Sequence, residues 1–106
     1  MANIFKNARA ALTDSSAVVY TCPAATTAVV LMVQASNVDN TGAVPVTATW
    51  NDGTNDTHLA KLLDIPAKAA VNLLSGKLVL EAGDTLSANS DASNKVELTI
   101  SLLEIT

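Results

Sequence analysis

From residue 96 the chain reads VELTISLLEI, in which Val96, Leu98, Ile100 and Leu102 alternate with Glu97, Thr99 and Ser101. A period of two puts the four apolar side chains on one face of an extended strand and the polar set on the other. Such a strand has one face to bury, and a second layer must cover it.

The same pattern recurs upstream. Val44, Val46, Ala48 and Trp50 share one parity, and Pro45, Thr47, Thr49 and Asn51 the other, which predicts a second strand with Trp50 toward the core. Pro45 places that strand's beginning, or a sheet edge, at this point. Residues 28–37, AVVLMVQASN, form a more continuous apolar run whose β-branched content predicts a buried strand. Between these stretches lie turn clusters: TDSS at 13–16, CPAATT at 22–27, NVDNTG at 37–42, NDGTND at 51–56, SG at 75–76, AGD at 82–84 and NSDASN at 89–94. Seven breaks divide the chain into about eight short segments, which predicts an all-β antiparallel sandwich or barrel.

Two stretches also have helical spacing: Ile4, Phe5, Ala8, Ala11 and Leu12, and Leu59, Leu62 and Leu63 before Pro66. A strand is preferred for HLAKLLDI because Pro66 ends it early. AVNLL and KLVL, on either side of Ser75 and Gly76, are expected to form the arms of a hairpin. No period of 20 to 50 residues repeats.

Composition narrows the function. The 106 residues suit one domain, 49% hydrophobic but only 3% aromatic, so the core must be aliphatic. With a net charge of −4 and six scattered Lys and Arg, the chain offers no basic footprint for DNA or RNA. The start, MANIFKNARAALT, has no secretory apolar core, and no stretch reaches the roughly 20 apolar residues of a membrane span. A soluble protein made in a cytoplasm, with no nucleic-acid or membrane partner, is expected. Cys22 stands alone, has no intrachain disulfide partner, and is read as a small half-buried hydrophobe.

The segment KLVLEAGDTL, residues 77–86, raises the question of a catalytic carboxylate pair at Glu81 and Asp84. Each residue has a structural role instead. Leu78 and Leu80 share a face, Gly83 supplies the positive φ of a tight connection, and Asp84 caps neighbouring backbone. In NDGTND, Asp52, Asn55 and Asp56 carry oxygens suited to a hard cation, but the acidic spacing and terminal Glu of an EF-hand are missing, so a solvated hairpin loop is expected. His58 has no second histidine or zinc-spaced cysteine, and is read as a surface residue at a strand start. No serine elbow, activated thiol or phosphate cradle is present. The expectation is a non-enzyme with no catalytic residue, cofactor or metal. With Trp50 facing the core, only Phe5 and Tyr20 remain to line a ligand pocket, so assembly is favoured over small-molecule binding.

The segments VVYTCPAATTAVVLMVQASNVD, VTATWND, HLAKLLDIPAKAAVNLLSGKLVLEAGDTL and VELTISLLEI together resemble a type of small virion structural protein of tailed bacteriophages. The resemblance runs from about Phe5 to the end. It implies a β-sandwich or jelly-roll-like subunit without enzymatic activity, present in many symmetric copies in the virion. Its implied partners are other copies of itself, as a homotrimer, and the major capsid protein or other virion proteins. Capsid decoration, cementing capsomers, is the expected role, with a neck or tail component or a carbohydrate-binding host-adhesion module as alternatives. The acidic charge fits an outer position.

The expected layout is an N-terminal arm over residues 1–12 and a sandwich over 13–106. The arm alternates poorly and carries Phe5 with no evident strand register, so Ile4, Phe5 and Arg9 are the predicted interface residues. Loops 37–42, 51–56 and 89–94 are expected to be exposed.

Overall fold

The computed structural model describes residues 2–106, which contain strands and turns and no helix. The strands are β1 (Asn3–Ala11), β2 (Ala17–Thr21), β3 (Thr27–Asn37), β4 (Val44–Asn51), β5 (Asp56–Ile65), β6 (Ala70–Asn72), β7 (Leu78–Leu80), β8 (Thr85–Ser90) and β9 (Val96–Ile105). One sheet has the order β1-β9-β3-β6, with β7 also on β3; the other has the order β2-β8-β4-β5. Every pairing is antiparallel.

The pairs are nested. β4 lies against β5, β3 against β6 and β7, β2 against β8, and β1 against β9. A long hairpin with this nesting, wrapped so that β9 also meets β3 and β8 also meets β4, is a jelly roll. β6 and β7 share one sheet position, so nine strands fill eight places. The antiparallel sandwich expected from the turn spacing is the observed architecture.

β6 and β7 are not the two arms of a hairpin, which corrects the reading of the segments around Ser75 and Gly76. Both run antiparallel to β3, β6 opposite Gln34–Ser36 and β7 opposite Ala28–Val30. Residues 73–77 loop out over the interval that 31–33 occupy on β3. Asn72 bridges the break: its Oδ1 accepts from the Val33 N–H at 3.2 Å, and the Leu73 N–H donates to the Val33 carbonyl at 2.7 Å. Leu73 then turns into the core.

The core is aliphatic. Ile65, Leu80, Leu98, Ile100, Leu102, Val30, Val33, Val44, Val46 and Val96 are its largest fully buried side chains, and each is worth about 1.5–3 kcal/mol on burial. The even positions of β9, and Val44, Val46 and Ala48 on β4, face inward as their alternation requires. β3 explains its own unbroken apolar run. Ala28 and Val30 are buried, then Val33, Ala35 and Asn37, because a bulge between Val30 and Met32 changes the inward parity.

Residues 3–11 of the expected N-terminal arm are β1, paired with β9 without a break from Asn3↔Ile105 to Ala11↔Glu97. Phe5 therefore has a strand register, opposite Leu103. Met1 lies outside the described residues. Short polar side chains such as Asn3 and Asn7 interrupt the alternation in sequence, yet a sheet edge tolerates them on its open face.

Candidate functional site

The carboxylate-bearing turn at 81–84 is structural. Gly83 has φ +90°, and the Asp84 N–H donates to the Glu81 carbonyl at 3.0 Å. Asp84 Oδ2 accepts from the Glu81 N–H at 3.0 Å and from the Trp50 indole N–H at 3.3 Å. The Cys22 N–H donates to the Asp84 carbonyl, so the turn is tied to the β2–β3 connection. The indole of Trp50 is the polar partner that the sequence around Asp84 did not disclose. Cys22 is fully buried rather than half-buried, and burial pushes its thiol above the ordinary value.

In NDGTND, Asp52 Oδ1 accepts from the Thr54 and Asn55 N–H groups at 3.0 and 2.8 Å, and these bonds hold its carboxyl below the usual carboxylate range. Asn51 donates to Asp56 at 2.7 Å. The oxygens that a cation would take serve the hairpin loop itself. His58 is exposed on β5 opposite Thr49. Among the described residues no three His, Cys, Asp or Glu side chains are grouped to hold a metal, and no buried side-chain polar atom lacks a partner.

A second polar cluster joins the two sheets at one end of the sandwich. Glu104 is buried with its Oε2 accepting from the Tyr20 hydroxyl at 2.6 Å and its Oε1 3.0 Å from Lys6 Nζ. The Tyr20 hydrogen bond, then Lys6, lower the Glu104 pKa, while burial and the same hydrogen bond raise that of Tyr20. Every group here is matched, which describes a clasp between β2, β9 and β1.

What remains unpartnered is apolar surface. Phe5 on β1, Leu103 on β9, Val29 on β3 and Val79 on β7 lie in direct cross-strand register. They form one row across the outward face of the sheet. Phe5 is 74% exposed and Val79 54%, and Leu31, thrust out by the β3 bulge, is beside Phe5. Of the predicted interface residues, Phe5 and Arg9 stand on this outward face. Ile4 has the opposite parity, opposite Glu104, toward the open end of the sandwich. The three lie on one strand but not on one face. The row depends on strand pairings between residues 50 to 98 positions apart in sequence, so no local pattern reveals it. A shallow groove of about 390 Å³ along Arg9–Ala11 and Glu97–Thr99 runs beside the same strands.

The chain matches no protein-family model and no curated protein. Its fold is similar to solved structures at low identity. A chain of the acid-stable capsid of Helicobacter pylori bacteriophage KHP30 superposes with a TM-score of 0.61 at 15% identity, over 100% of this chain and 89% of that one. A chain of the disulfide-linked pili that form Bacillus endospore appendages gives 0.54 at 11% identity, over 96% and 85%. A chain of the IBDV viral particle gives 0.60 at 8% identity, over 96% of this chain but only 30% of that one.

Proposed function

We propose that the protein is a non-enzymatic virion structural subunit of a phage, acting through surface contacts with copies of itself and with other virion proteins. The observation that carries this reading is the outward row Phe5–Leu103–Val29–Val79, exposed at Phe5 and Val79 and half-buried between them, an apolar band on a sheet face of the kind that marks protein contact sites. It is joined to a jelly roll whose whole length is similar to a phage capsid chain. Fold likeness alone does not assign a role, so the surface bears the argument.

Within that class we favour capsid decoration, with the protein binding as a trimer between capsomers on the outside of a tailed-phage head. The acidic charge of −4 supports an outer position away from packaged DNA. Membership of a disulfide-linked fibre is disfavoured, because the only cysteine is 1% exposed. A sugar-binding module needs exposed rings for stacking, and Tyr20 and Trp50 are both half-buried against the core, which leaves Phe5.

The test is light scattering of the pure protein, then sedimentation with phage heads lacking decoration protein. Saturable pelleting, lost in Phe5→Ala, is the expected result. A stable monomer that ignores heads overturns decoration and directs attention to the neck and tail.

A further inference from the structure

A sandwich has four open sheet edges, and here three are blunted. β2 is five residues long with a register shift between Val18 and Tyr20. β5 has two register shifts and a left-handed residue, Leu62, at φ +51°. The β6/β7 edge is two three-residue strands separated by a loop. β1 has none of these devices: nine residues, no proline, an unbroken register with β9. Native proteins protect long regular edges because such edges recruit another strand.

The phase of β1 says which backbone groups are free. Ala2 and Thr106 exchange both hydrogen bonds, at 3.2 and 2.9 Å, and the Leu12 N–H donates to the Val96 carbonyl at 2.9 Å. Even-numbered residues thus face β9, and the N–H and C=O groups of Asn3, Phe5, Asn7, Arg9 and Ala11 point away from it. Among the described residues no backbone partner meets them.

We propose that β1 is a self-pairing edge: two copies of the chain join antiparallel through β1 about a two-fold axis at Asn7, continuing the sheet from one copy into the next. The occupant is a second copy because the edge is self-complementary. Only the register centred on Asn7 pairs all nine residues of both strands. It sets Phe5 opposite Arg9 of the second copy, twice by symmetry, a ring against a guanidinium that forms no ion pair among the described residues. Lys6 falls opposite Ala8 and Ile4 opposite Ala10, so no like charges meet. The five outward residues of each strand supply up to about ten main-chain hydrogen bonds, the physics of strand addition. The two-fold makes the contact isologous. The inference rests on the assembly reading above; being two-fold, the contact joins copies from neighbouring trimers and is separate from the contact that holds one trimer together.

The experiment is cysteine cross-linking of the full chain under mild oxidation. Asn7→Cys should give a disulfide-linked dimer as the main species, because the axis brings the two positions face to face. Asn3→Cys, opposite Ala11, should give none. Phe5→Arg sets arginine against Arg9 and should weaken self-association at least tenfold by sedimentation equilibrium; adding Arg9→Phe should restore it. Absence of the Asn7→Cys dimer, equal cross-linking from Asn3→Cys, or no rescue by the double variant overturns the proposal. If Phe5→Arg with Asn7→Pro still binds heads as the parent does, β1 pairing fails while the assembly reading stands. If the parent neither self-associates nor sediments with heads, the assembly reading itself fails.

Discussion

Tyr20 and Glu104, 84 positions apart, are joined by a 2.6 Å hydrogen bond from phenol to carboxylate that ties the edge of one sheet to the interior of the other. The bond sets two limits on stability. Glu104 titrates below its ordinary 4.5 in the folded state, so the unfolded chain binds more protons in that window; the stabilisation is complete above 4.5 and is lost as pH falls through the folded value. Tyr20 titrates above its ordinary 10.0, so its contribution is complete below 10.0 and is lost as pH rises through the folded value. Urea midpoints should form a plateau with two falling limbs. Glu104→Gln should flatten the acid limb only in part, since Asp39 and Asp52 are also lowered. Tyr20→Phe should flatten the alkaline limb only in part, since the buried Cys22 thiol is also raised, and cost about 1–2 kcal/mol at neutral pH. An acid limb unchanged in Glu104→Gln would assign it to other groups.

Asn37 is buried at the end of β3, where its amide donates to the Ile65 carbonyl at 2.8 Å and the Gly42 carbonyl at 3.0 Å and accepts from the Asp39 N–H at 2.9 Å. Asn37→Ala leaves the buried Ile65 carbonyl unmatched and should cost about 1–3 kcal/mol in chemical denaturation. A loss below 0.5 kcal/mol, estimated on the same scale, would mean that water replaces the amide.

Leu62 combines a left-handed backbone with a side chain 64% exposed. Its N–H is held by Thr47 Oγ1 at 3.0 Å, which keeps the bulge in place. Asparagine adopts this conformation more readily, so Leu62→Asn should raise stability by up to about 1 kcal/mol. A thermal midpoint that falls instead would show that the leucine side chain holds the edge strand.

Phe5 and Val79 lie at opposite ends of the apolar row, and both are exposed. Phe5→Asp and Val79→Asp should each change folding stability by no more than about 0.5 kcal/mol. Both should reduce head binding in the sedimentation assay. Unfolding of either variant would return these residues to a structural role.

Much of the sandwich was legible locally. Alternation in β4 and β9 named the buried faces, and glycine, asparagine and proline clusters marked the connections. β3 was legible as a strand but not as a bulged one, since a parity change looks like a continuous apolar run. The break between β6 and β7 was misread as a hairpin because Ser75 and Gly76 suit a turn, while the partner of both segments lies 34 to 52 positions upstream on β3. At the candidate surface, Phe5 was identified from its poor fit to a core, but the three residues in its row were not.

By itself the sequence determined the class: an aliphatic, sparsely aromatic chain with two-residue periodicity and frequent turns must bury alternate side chains between sheets. Only the tertiary structure decided which strands pair, that residues 3–11 form a long regular edge, and that Phe5, Leu103, Val29 and Val79 make one surface. Periodicity is a property of neighbouring residues, whereas an edge or a row is created by hydrogen-bond registers between distant segments, which compete for the whole chain at once.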